Sequence, residues 1–231
     1  MDILLPREKK TIETKRRIVD AAGKLIRQYD FRYLTVKNVC EEAGVAYGSF
    51  YHHFGTKENV IHEYCAELFE KMLEANPTPS EVGEGDFVRE VIWSLLVYAK
   101  FCELMGKDII RYIYQNCPDD MFYGKYFEPL VRKVIRRAYD LGYVSVPLPD
   151  RLDYISEDVA VVYKGLVMCW FNDFHLESHG NRLPIGMEHI IRQVLSTFRN
   201  EKYYGKFGGK LAMVTDDENF DKYFTVIPEL Q

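Results

Sequence analysis

Apolar positions recur at helical spacing along nearly the whole chain. From about Thr11 to Tyr29, Ile18, Ala22, Leu25, Ile26 and Tyr29 share one face, while Lys15, Arg16, Arg17, Asp20, Lys24 and Arg27 share the other. Thr35 stands where an N-cap belongs, ahead of Val36, Val39, Cys40 and Ala43, and Gly44 closes that short helix with the backbone freedom of a tight turn. A third short helix spans about Tyr47 to Phe54, broken by Gly55-Thr56. From Lys57 a longer one places Val60, Ile61, Tyr64, Cys65, Leu68, Phe69 and Met72 on its apolar side. The run Asn76-Pro77-Thr78-Pro79-Ser80, with Gly83 and Gly85 after it, reads as a linker. Helical patterns return near 86–104, 106–116, 119–141, 155–178 and 184–200, with Pro147 and Pro149 marking a second break. Strand signals are nearly absent, so the pattern predicts an all-α chain.

Three short helices with a glycine turn between the second and third make a helix-turn-helix with a supporting first helix. Val39, Ala43, Val45, Phe50 and Phe54 are the apolar positions that would lock it. Tyr47, Gly48, Ser49, Tyr51, His52 and His53 are left facing wholly or partly outward. In such an arrangement the third helix enters the major groove of double-stranded DNA. Tyr47 and Ser49 can reach base edges, and Gly48 lets the backbone come close. Tyr51, His52, His53 and Lys57 can reach phosphate oxygens, which sets register and reads no sequence. The adjacent histidines do not make a metal site, because neighbouring helix positions point about 100° apart and no cysteine or carboxylate is spaced to join them.

Charge adds a modest asymmetry. The chain has a net charge of -5, yet residues 1–60 hold 11 Lys and Arg against 8 Asp and Glu, or +3, which leaves -8 for the rest. A basic head on an acidic body is the distribution expected when one end meets phosphate. The five cysteines are odd in number, widely spaced and without a C-x-x-C pair, which predicts reduced core thiols and a cytoplasmic location. No apolar run approaches the ~20 residues of a membrane-spanning helix. No nucleophile elbow, metal-ligand triad, Gly-rich phosphate loop or carboxylate pair suggests an enzyme, and no cofactor is implied.

The stretch from Leu34 to Glu58, LTVKNVCEEAGVAYGSFYHHFGTKE, resembles the DNA-binding signature of TetR-family regulators. It has the capping Thr35, the Ala43-Gly44-Val45 turn, Gly48 two residues before Phe50-Tyr51, and Phe54 followed three residues on by Lys57. The resemblance implies that Thr35, Lys37, Tyr51, His52 and Lys57 contact the DNA backbone and that Tyr47, Gly48 and Ser49 read bases. Two positions depart from it. Ala46 stands where the family has Ser or Thr, so the third helix lacks a side-chain cap that typically contributes ~1 kcal/mol, and Cys40 replaces a common Ala.

The same resemblance implies a DNA-binding domain at 1–57 and a helical ligand-binding and dimerisation domain at 58–200, while aromatics interleaved with glycines and without a steady helical period mark a tail at 201–231. It implies a ligand-responsive repressor acting as a homodimer on a palindromic operator, with a small-molecule effector held among the helices of about 93–170. Trp93, Tyr98, Phe101, Cys102, Tyr126, Tyr163, Trp170 and Asn172 are the candidate pocket residues, suited to a flat or apolar ligand. Val159, Val162, Leu166 and Cys169, with Ile190, Ile191, Val194, Leu195 and Phe198, are the candidate interface stripe. An activator is compatible with the same sequence. The rival reading is a TetR-like protein that has lost DNA binding and recruits a partner protein, which Ala46 and the small basic excess favour.

Overall fold

A computed structural model describes residues 5–29, 31–77, 87–116, 152–174 and 225–231, with scattered residues between 129 and 140 and Leu183. Every regular element among them is helical. The chain divides into two units: Met1–Leu68 with Tyr112–Asp119, and Phe69–Arg111 with Asp120–Gln231.

The first unit opens with α1, Pro6–Gln28. It begins five residues earlier than apolar periodicity indicates, because its first turn is polar and is set by local chemistry. Pro6 occupies the first helical position, and the Glu8 carboxylate accepts the Leu5 N–H at 2.8 Å. A 3₁₀ turn at Phe31–Tyr33 leads to α2, Val36–Ala43, where the Thr35 hydroxyl accepts the Asn38 N–H at 3.1 Å. After the glycine turn come α3, Tyr47–His53, and α4, Lys57–Ala75, whose residues to Leu68 belong to this unit. Ile18, Ala22, Val39, Phe50 and Ile61 are its fully buried centre. Gly23 is required by contact rather than by conformation. A Cβ there would lie 2.3 Å from the Tyr64 ring, which is buried and hydrogen-bonded to Arg27 at 3.0 Å.

The basic face of α1 turns out to be largely engaged within the protein. Lys15 pairs with Glu63 at 3.5 Å, Lys24 pairs with Glu42, and Arg17 donates to the Ala43 and Gly44 carbonyls. Each exposed ion pair contributes at most ~1 kcal/mol. Together they fix α1 against α2 and α4.

In the second unit α5, Phe87–Met105, passes through Gly106 at φ 86° into α6, Lys107–Asn116, of which Tyr112 onward belongs to the first unit. Further on lies α7, Leu152–Phe171. Phe69, Tyr98, Phe101 and Tyr163 form a buried ring cluster with centroids 5.0–6.1 Å apart. α7 ends well short of the expected 178. Asp173 enters the left-handed region at φ 57°, which Asp tolerates better than most residues, and Phe174 donates back to the Cys169 carbonyl at 2.9 Å. Lys107 then pairs with Asp173, and Arg111 donates to the Phe171 carbonyl. Among the described residues no helix is long and apolar enough to cross a membrane.

Four residues of the expected interface stripe fall on this helix. Val159 and Leu166 are buried within the single chain, while Val162 and Cys169 are half-buried. The large apolar residues left exposed are Tyr154, Val161 and Met168, one helical face further round. The candidates from Ile190 to Phe198 lie outside the described residues.

The end of the chain packs on the end of α4. The Asn76 side chain donates to the Thr225 carbonyl at 2.9 Å and accepts the Thr225 N–H at 2.7 Å, much as a paired strand would. It also donates to Met72 O at 2.8 Å. Ile227 is buried, and Lys71 pairs with Glu229. Asn76→Ala strands two backbone groups in a part-buried setting, at a cost of about 1–3 kcal/mol. The variant should melt several degrees lower in thermal unfolding, and an unchanged midpoint would show that the strap carries no stability.

Candidate nucleic-acid interface

The site depends on how α2 turns into α3. Gly44 sits at φ 61°, its N–H bonds the Glu41 carbonyl at 3.3 Å, and Val45 N–H bonds the Cys40 carbonyl at 3.0 Å. This is a glycine C-cap that satisfies two of the orphan carbonyls of α2 and reverses the chain. Ala46 follows in extended conformation with no side-chain cap on α3, as its residue type dictates. α3 is instead fixed by its apolar side. Phe50 is fully buried and Phe54 nearly so, their rings 6.2 Å apart, with the Lys15 ammonium 5.3 Å over Phe54.

That anchoring decides what faces outward. Tyr47 and Tyr51 are 49% and 53% exposed, and Gly48 and His52 are exposed beside them. Ser49 and His53 are half-buried. A Cβ on Gly48 would meet nothing within 4 Å. Glycine inside a helix costs roughly 0.5–1 kcal/mol against alanine, and no protein contact asks for it here. The open space at Gly48 suits a body that approaches from outside. Thr35 caps α2, and Lys37 is exposed one turn from Glu41, 3.9 Å away. The rings of His52 and His53 meet edge to face at 5.2 Å, an arrangement that sets no shared ligand point.

Lys57 has a neighbour that α4's own sequence does not announce. Its ammonium lies 5.0 Å over the ring of Tyr112, midway along α6. The Tyr112 hydroxyl donates to the Glu58 carboxylate, and the ring meets Phe31 edge-on at 4.7 Å. Burial works to raise the Glu58 carboxyl, but the Tyr112 hydrogen bond, local hydrogen bonds and Lys57 outweigh it and hold it below the ordinary range. The only sequence signal for Tyr112 was its place in an amphipathic helix.

Of the candidate pocket residues, Tyr98, Phe101 and Tyr163 come together with Phe69 from α4, and Cys102 is fully buried. Burial pushes the Tyr163 phenol well up. Trp170 is buried with the Lys107 ammonium 5.6 Å over its ring. Asn172 is exposed beyond the end of α7, its amide bonded to Met168 O, and joins no ring of the cluster. The side chain of Trp93, and Tyr126 altogether, lie outside the described residues.

A short helix with two exposed tyrosines, seated by buried phenylalanines after a glycine turn, defines a helix-turn-helix DNA-binding domain. Residues 18–64 match the family model of the bacterial regulatory proteins of the tetR family, so the chain carries a DNA-binding domain of that type. No curated protein matches the chain. Solved structures share its fold over most of its length. The Thermus thermophilus repressor FadR in complex with lauroyl-CoA is 18% identical with a TM-score of 0.61, covering 79% of this chain and 93% of its own. The regulator TylP of Streptomyces fradiae is 16% identical with a TM-score of 0.53, covering 86% and 92%. NalD of Pseudomonas aeruginosa, the secondary repressor of a multidrug efflux pump, is 14% identical with a TM-score of 0.50, covering 83% and 99%.

His53 gives the domain a pH dependence. Burial first, then the charges of His52 and Lys15, hold its imidazole below the ordinary 6.5. As pH falls through 6.5 the unfolded chain therefore takes the proton before the folded one does. Stability should decline with falling pH from about 6.5 down to the folded-state value and then level off. Denaturant unfolding of wild type and His53→Asn across that window checks this, and equal slopes would remove His53 as the cause.

Proposed function

We propose that this protein is a DNA-binding repressor that acts as a homodimer on a palindromic operator and is released by a small-molecule effector. The observation that carries the reading is the outward face of α3, where exposed Tyr47 and Tyr51 flank the open approach to Gly48 on a helix otherwise seated by Phe50. Tyr47, Gly48 and Ser49 read bases, and Thr35, Lys37, Tyr51, His52, His53 and Lys57 hold phosphates. Binding to duplex DNA from immediately upstream of the protein's own gene, at two salt concentrations and against an unrelated duplex, tests it. Sequence-selective, salt-sensitive binding is the expected result, and equal weak binding to both duplexes would favour the partner-recruiting alternative.

Dimerisation follows from the limited reach of one short helix, which needs a second copy about one helical turn (~34–36 Å) away. The exposed face of α7 supports it. Tyr154, Val161 and Met168 repeat every seven residues, and Gly165 lies on the same face with open space where a Cβ would be. Such a stripe suits a helix of a second copy packed at close range. The effector belongs to the body, where the aromatic cluster around Tyr163 offers apolar lining. FadR, which shares the fold, holds lauroyl-CoA, and an apolar or flat ligand fits the residues here. α4 runs unbroken from Lys57 to Ala75 and is the element through which a ligand alters the reading head, by a coupling of ~1–3 kcal/mol. A cytoplasmic location accords with this role.

Two substitutions separate phosphate holding from base reading. Lys57→Ala should weaken binding to all sequences and reduce the salt slope by about one unit, whereas Tyr47→Ala should relax preference at one operator position. Parallel losses without any change in specificity would overturn the assignment. On the dimer face, Val161→Glu should give a folded monomer in light scattering with weakened operator binding; a stable dimer would place the interface elsewhere.

A further inference from the structure

We infer that Arg17 is a positioning residue for sequence reading, holding the turn between α2 and α3 in place of the side-chain cap that α3 lacks. The inference rests on the DNA-binding role proposed above. α2 ends with carbonyls that have no partner in the helix. The glycine turn satisfies Cys40 and Glu41, through Val45 N–H at 3.0 Å and Gly44 N–H at 3.3 Å. The carbonyls of Ala43, the last residue of α2, and of Gly44 are both taken by one nitrogen of Arg17, at 2.5 and 3.0 Å. A cation at the carbonyl end of a helix is favourably placed against the helix dipole.

The geometry is specific to this turn. Gly44 adopts φ 61°, and a Cβ there would come within 3.0 Å of the Arg17 guanidinium, so glycine leaves room for the arginine as well as for the backbone. Two residues on, Ala46 begins α3 with nothing to accept its first N–H groups from a side chain. α1 is thereby tied to the two carbonyls that immediately precede the entry to α3, and the angle at which α3 leaves α2 is set from α1. Lys24 pairing with Glu42 braces the same region from two helical turns further along α1. Arg17 thus acts through the placement of Tyr47 and Ser49 and has no need to touch DNA.

Arg17→Met, Arg17→Lys and Ala46→Ser in the full-length chain test this, each alone and the first combined with the last. The probes are a randomised duplex pool for sequence selection and one fixed unrelated duplex for non-specific affinity. Arg17→Met should lower sequence discrimination at least about fivefold while non-specific affinity and its salt slope stay unchanged. Ala46→Ser should restore discrimination in the Arg17→Met background and change little in wild type. Arg17→Lys, which keeps the charge but not the planar donor set, should fall between. A salt slope reduced by about one unit with discrimination intact would make Arg17 a phosphate contact and overturn the proposal. A lowered melting temperature with discrimination intact would reduce it to a stabilising contact and overturn it equally. Amide hydrogen exchange at Val45, which should quicken in Arg17→Met, needs no DNA. A wild-type chain that selects no sequence would overturn the DNA reading, while unchanged exchange at Val45 would overturn the clamp itself.

Discussion

A helix of seven residues cannot hold itself in water, since isolated helices shorter than ~12–15 residues are marginal. The burial of Phe50 is therefore the interaction on which the reading head depends. With Phe50 fully enclosed and Phe54 one turn on also inside, the rotation of α3 about its axis is fixed. At about 100° per residue, Gly48 and His52 then fall almost opposite Phe50, and Tyr51 and Ser49 lie to either side. Tyr47 and His53 flank the buried edge. The exposures of Gly48, Tyr51, His52 and His53 follow this order, whereas Tyr47, in the first turn of α3, is exposed despite its place near the buried edge. One buried side chain thus determines which residues can meet a groove.

Helix ends supply the second constraint, and the chain answers it twice with an arginine from another helix. Arg17 of α1 serves the carbonyls after α2, and Arg111 of α6 serves the last carbonyl of α7, where it also pairs with Asp108 at 2.8 Å. In both cases the chain leaves the helix through a left-handed residue, Gly44 or Asp173. Side chains that composition counts as surface charge are in fact terminating helices.

The first 75 residues were legible because two independent signals coincide there: apolar spacing and end chemistry, as in Thr35 for the start of α2 and Gly44 for its stop. α7 shows what happens when they separate. Apolar residues continue past Phe171, yet Asn172-Asp173 ends the helix through a backbone conformation that periodicity does not register. Burial along this helix was out of reach for a related reason. Val159 and Val161 are equally apolar, and only the packing of the rest of the chain buries one and leaves the other 68% exposed. Long-range pairs were out of reach altogether: nothing local links Asn76 to Thr225 or Lys57 to Tyr112.

Lys57 brings these strands together. Its resting contact with the Tyr112 ring is a cation–π interaction of a half-exposed lysine, worth ~0.5–1 kcal/mol. Neutralising one phosphate contributes about one unit to the salt slope, and a charge-assisted hydrogen bond to phosphate is roughly twice as strong as a neutral one. On the DNA-binding reading proposed above, a phosphate outcompetes the ring for Lys57 at low salt, and the ring regains ground as salt rises. The hydroxyl of the same Tyr112 is committed to Glu58, so the ring stays in place when the ammonium leaves. The free energy at stake is small, but it is of the size by which effectors shift affinities, ~1–3 kcal/mol. Tyr112, midway along α6, thus holds both Lys57 and Glu58 at the start of α4, one through its ring and the other through its hydroxyl.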